Sequence, residues 1–179
     1  MKKKQMSLSA ECNDGTGQVL FRLVICGEPK SQPRPRFVVG RVISNVKPAV
    51  SSWQGAVRRA ASEALCAIEE GLLHKATALR VDVTFFFPTK DSKRWGKPHT
   101  QKPDRDNLDK LVLDECTKVG VFGGDDCRVS AGMIRKYWCR IGGEGAIVEV
   151  SIDASGAPWE GLDASPSMAI AEDAPDWLG

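Results

Sequence analysis

Lys102-Pro103-Asp104-Arg105-Asp106-Asn107-Leu108-Asp109-Lys110-Leu111-Val112-Leu113-Asp114-Glu115-Cys116-Thr117-Lys118-Val119-Gly120 carries the apolar spacing of a helix. Leu108, Leu111, Val112, Cys116 and Val119 fall on one face that a core can receive. The spacing predicts a helix over about 107–118, followed by a Gly-rich turn through Asp126. Asp104 or Asp106 suits its N-cap, where a carboxylate accepts free backbone N–H groups and meets the positive end of the helix dipole.

One acid is enough for a cap, and this stretch has more. Asp106, Lys110 and Asp114 are spaced i, i+4, i+8 and share the face away from the core. Gly123-Gly124-Asp125-Asp126 then brings acids from a separate turn. Oxygen ligands from separated segments, completed by water and a substrate phosphate, suit Mg²⁺. Such an ion activates an attacking water and neutralises a leaving oxygen in phosphodiester hydrolysis. Lys110 would orient a carboxylate or stabilise charge on the phosphate. The plainer reading is a capped, solvated helix in a DNA-binding protein that does not cut.

Upstream lies a sixteen-residue polar loop, residues 88–103, with Lys90, Lys93, Arg94, Lys97 and Lys102 against one acid, Asp91. Loops this long inside a domain are usually functional. Leu79 to Phe87 alternates as a half-buried strand, with Pro88 as its expected end. Val50 to Glu70 has helical spacing, with Ser51 or Ser52 near its start and Gly71 past its end. Val19 to Cys26 reads as a strand stopped by Gly27. Pro29 to Arg36 holds three prolines and cannot be helix. It forms an extended loop with Lys30, Arg34 and Arg36, and Arg41 follows. Phe37 to Ile43 reads as a short strand. Arg128 to Trp138 and Ala146 to Ile152 read as a hairpin across Gly142-Gly143-Glu144-Gly145. The order β-α-β-α-β-β predicts a single α+β domain over 18–154, a mixed β-sheet with two main helices packed on it.

The 179 residues and 42% hydrophobic content suit one globular domain. The net charge of +2 conceals a division. Residues 151–179 have six acids and no Lys or Arg, so residues 1–150 carry +8. A basic body suits a polyanion. Residues 1–17 read as a flexible lead-in and 155–179 as an acidic flexible tail. Trp177-Leu178 in that tail is a candidate motif for a protein partner. No apolar run nears the roughly 20 residues of a membrane helix, and Lys2-Lys3-Lys4 is followed by polar sequence, so a cytoplasmic protein with no membrane partner is expected. Six cysteines show no CxxC pair, which points to reduced thiols. His74 and His99 are isolated, with His99 a bystander in the basic loop. No GxxxxGK[ST] occurs. The restriction-nuclease pattern also fails, because Asp91-Ser92-Lys93 precedes Pro103-Asp104.

Three segments resemble the RusA family of Holliday junction resolvases. Gly27 to Phe37 is similar to the family's basic, proline-rich loop. Lys102 to Asp114 is similar to its helix motif, (K)PDxDNxxKxxxD. Val121 to Val129 is similar to its aromatic-DD-strand motif. The resemblance covers about residues 20–152. It implies Asp104, Asp106 and Asp126 as the essential metal-binding acids and Lys110 as the functional lysine. Asp114, Asp125 and Asn107 take supporting roles. It implies a Mg²⁺-dependent homodimer, with Mn²⁺ as a substitute, that nicks two opposed strands of a four-way junction. Lys30, Arg34, Arg36, Lys90, Lys93, Arg94, Lys97 and Lys102 would contact the DNA backbone. The chain departs from the family in placing Cys127 where Ser is frequent, and in a turn at Gly120 to Gly124 about one residue longer than in the bacterial prototype.

Overall fold

The computed structural model describes residues 19–33, 36–38, 41–43, 47–67 and 78–153, the side chains of 36–38 and 41–43 excepted. The expected lead-in and tail, Arg34, His74 and the end of the first helix at Gly71 lie outside these residues.

Alternation builds the sheet. Strand β1 (Val19–Cys26) buries Phe21, Leu23 and Ile25, and β4 (Leu79–Thr89) buries Leu79, Val81, Val83, Phe85 and Phe87. Between them runs β7 (Gly145–Ile152), antiparallel to both. On its other side β4 pairs in parallel with β5 (Val129–Ala131) and then β6 (Ile134–Arg140). Two short strands, β2 (Arg36–Val38) and β3 (Arg41–Ile43), make a separate antiparallel pair where one strand was expected.

The expected hairpin of the last two strands does not form. β6 and β7 flank β4 on opposite sides, so the four residues 141–144 step across two strand spacings, roughly 10 Å. The reason is the helix before them. A parallel pair requires a crossover of a dozen or more residues, and α2 (Arg105–Val119) supplies it between β4 and β5. β4 also runs past its expected end: Pro88 lies beyond Gly145, where β7 no longer accompanies it, so its missing N–H costs no ladder bond.

The first helix, α1 (Pro48–Cys66), begins three residues before Ser51. Pro48 occupies its first turn, where no N–H is needed, and Lys47 is the N-cap without a side-chain cap. Trp53, Val57 and Ala61 of α1 and Leu108, Leu111, Val112 and Cys116 of α2 join the strand residues in one core. Between the helices, Glu115 is buried with Lys118 Nζ at 2.7 Å. Arg58 Nε stands 3.0 Å from its other oxygen, in an ion pair without hydrogen-bond geometry. A buried carboxylate needs such partners, and Arg58 ties α1 to α2 through it.

Candidate functional site

The site follows α2 from end to end. Asp104 is the N-cap by backbone conformation, but its exposed side chain makes no capping hydrogen bond. Asp106 is exposed in the first turn and Lys110 is exposed one turn on. At 1.5 Å per residue, Asp114 stands about 12 Å further along the axis than Asp106. The helix ends at Gly120, whose left-handed φ of 92° lets its N–H reach Cys116 O at 3.1 Å and Thr117 O at 2.9 Å. Val121 and Phe122 are buried just beyond, and Arg128 holds the Phe122 carbonyl at 3.0 Å. This anchors the Gly-rich turn at both ends.

A short 3₁₀ turn, Asp126–Arg128, follows. Here capping is real: Asp125 Oδ1 accepts the Cys127 N–H at 3.3 Å. The Asp126 carboxyl binds its proton more tightly than usual. Its hydrogen bond to Asp125 comes first among the causes, then desolvation, then the charges of Asp125 and Asp114. The fold therefore gathers Asp114, Asp125 and Asp126 beside the later half of α2, and leaves Asp104 and Asp106 at its start. Among the described residues no three Asp, Glu, His or Cys side chains stand as a ready metal cage.

A cleft of about 370 Å³ opens beside Asp104, lined also by Lys30, Ser31, Lys102 and Asn107. It exists because the proline-rich loop is stitched to α2: Gln32 N–H donates to Asn107 O at 3.0 Å. Lys30 pairs there with Glu28 at 2.7 Å. Arg36 is in β2, with its side chain outside the described residues.

The basic loop is fastened to the outer edge of β6. Gly96 N–H donates to Trp138 O, Trp138 N–H to Lys97 O and His99 N–H to Lys136 O, all at 2.9–3.0 Å. Lys90, Lys93, Arg94, Lys97 and Lys102 are exposed along it. Arg94 lies over the Trp138 ring at 5.6 Å. His99 is buried between Phe87 and Trp138, each ring centroid 4.1 Å away, so it is a packing residue. Burial, with help from the Lys136 charge, pulls its pKa down.

Sequence reasoning missed Lys136. Its ammonium donates to Gln101 O at 2.8 Å and to Pro103 O at 2.7 Å, immediately before Asp104. The Lys102–Pro103 peptide is cis. A lone lysine in a strand carries no local signal of such a role.

The model of the endodeoxyribonuclease RusA family matches residues 27–152. The chain belongs to the RusA family. It is also 41% identical over 51 residues to the crossover junction endodeoxyribonuclease rusA of Lactococcus phage r1t, a match covering 28% of this chain and 39% of the relative's length. The aligned stretch thus spans less than half of that curated relative. The family match runs from the proline-rich loop, through both acid clusters, to the end of β7.

Proposed function

We propose that the protein is a metal-dependent endodeoxyribonuclease that resolves Holliday junctions and related branched DNA. The observation that carries this is the family match over residues 27–152, which spans Asp104 at the N-cap of α2, exposed Asp106 and Lys110 on the helix, and Asp126 in the turn that follows it. The glycine turn brings Asp126 within reach of the Asp114 charge on α2.

Asp104 and Asp106 at the start of α2, and Asp126 beside its later half, are the proposed ligands of Mg²⁺, with Mn²⁺ as a substitute; sharing one ion would draw Asp126 toward the start of the helix. An all-oxygen donor set fits either ion. Two acids beside Asp126, Asp125 and Asp114, raise its hold on a proton, and a divalent cation would relieve the same crowding. The bound ion would supply Lewis-acid activation of water. Lys110 counters charge at the scissile phosphate, and Asp114, Asp125 and Asn107 support the acids. Lys30, Arg34, Arg36 and the cations of the 90–102 loop grip the backbone without reading sequence. Two sites in a two-fold dimer would produce paired symmetric nicks.

The alternative, acids serving only as caps, is supported at Asp125 but not at Asp104. The test is a synthetic four-way junction in Mg²⁺ with linear duplex as competitor. Asp104→Asn and Asp126→Asn are each expected to abolish cutting while junction binding survives. Unchanged cutting by either variant removes that residue from the site, and a wild type that binds without cutting favours the non-catalytic reading.

A further inference from the structure

We infer that Lys136 is a positioning residue of this site, a clip that holds the Gln101–Asp104 turn so that Asp104 is presented in one geometry. The inference rests on the nuclease reading for the role of Asp104. The clip itself rests on three bonds from one residue. The Lys136 carbonyl accepts the His99 N–H at 2.9 Å, and its ammonium donates to Gln101 O at 2.8 Å and Pro103 O at 2.7 Å.

The chemistry calls for an ammonium. The turn points two carbonyls at one spot, and Pro103 has no N–H to offer in return. Lysine brings three donors and no acceptor, and charge-assisted bonds are about twice as strong as neutral ones. Asp104 does not fix itself, since its side chain makes no capping bond. The restraint comes instead from β6, through a side chain whose ammonium lies 6.0 Å from the centroid of the Phe87 ring. The Asp104 charge acts on the same ammonium, so Lys136 also draws toward itself the acid it positions. Strand β6, helix α2 and the basic loop are joined at this one residue.

The test uses the full chain. Lys136→Met keeps much of the stem and removes the donors, whereas Lys136→Arg keeps charge and donors. Three quantities are compared with wild type: Mn²⁺ affinity by electron paramagnetic resonance, ¹⁵N relaxation of the Lys102 and Asp104 amides, and junction cleavage. Supporting groups behind metal ligands are worth about 10–100-fold in affinity or activity. Lys136→Met is therefore expected to lose at least about ten-fold in Mn²⁺ affinity and in cleavage, with both amides becoming mobile and junction binding retained. Lys136→Arg is expected to recover most of that loss. Unchanged affinity and unchanged amides in Lys136→Met overturn the inference, as does global unfolding of that variant, which would make Lys136 a general fold residue. If wild type neither binds Mn²⁺ nor cuts, the nuclease reading falls, and the amide dynamics alone then decide the clip.

Discussion

Asp125 and Asp126 stand side by side at the start of the 3₁₀ turn and perturb each other's carboxyl groups in opposite directions. The interaction lowers the pKa of Asp125, helped by the Cys127 N–H, and raises that of Asp126. Asp126 is the acid proposed for the metal, so protons and metal compete there. Cleavage is expected to fail on the acid side at a higher pH than an ordinary carboxylate would set. Asp125→Asn removes the neighbouring charge and offers an amide donor, which favours ionised Asp126. The acid limb of kcat/KM should move to lower pH, in step with the Asp126 carboxyl signal by ¹³C NMR. An unmoved limb would show that Asp126 does not control it.

His99 predicts an acid weakness in the basic loop. Its pKa is lowered by burial from the ordinary 6.5. Folding thus disfavours the imidazolium, so the stability it contributes is complete above about pH 6.5 and falls as pH drops toward the folded value. Melting temperature should decline below that pH, with faster hydrogen exchange at Gly96 and Trp138. His99→Phe keeps the ring stack between Phe87 and Trp138 and should flatten the decline. The same slope in the variant would place its origin elsewhere.

Asp109 titrates with the opposite sign. Burial pushes its pKa from 3.8 up to about 6, against the pull of Arg105. The folded state prefers the neutral acid, so a penalty grows from about pH 4 to about pH 6 and is constant above. That rise corresponds to about 3 kcal/mol at most. The group is only partly buried, and solvent screening reduces the figure to about 1 kcal/mol. Asp109→Asn should stabilise the protein by about that amount at pH 7, measured by denaturant unfolding, and by nothing at pH 4. Destabilisation at pH 7 would mean that the charge has a partner worth more than its burial costs.

Gly132 sets the edge strand. Any Cβ there would overlap the Val81 carbonyl oxygen. The residue marks the break between β5 and β6, after which Met133 rejoins β4 through Asp82 Oδ1 at 2.7 Å and Val83 N–H at 2.8 Å. Gly132→Ala should cost about 2 kcal/mol or more, the scale of overpacking against rigid backbone, and should loosen the basic loop carried by β6. A loss under about 0.5 kcal/mol, the range of neutral surface changes, would show that the edge yields freely.

Much of this protein is local and therefore legible in its sequence. The period of Leu108, Leu111, Val112 and Cys116 determined α2, its buried face and the alignment of Asp106, Lys110 and Asp114, because helix geometry acts within a few residues. Alternation determined β1 and β4 in the same way, and the acid motif pointed to the family. Pairing was decided by tertiary structure. β6 lies beside β4 and not β7, because strand partners are chosen by crossover geometry and shared core faces across many residues. From that choice follow the consequences no motif displays: the basic loop bonded along β6, His99 buried, Lys136 beneath the turn before Asp104, and Asp126 returned to Asp114. Residue types and spacing are properties of the chain, but which carbonyl meets which ammonium depends on where the sheet puts them.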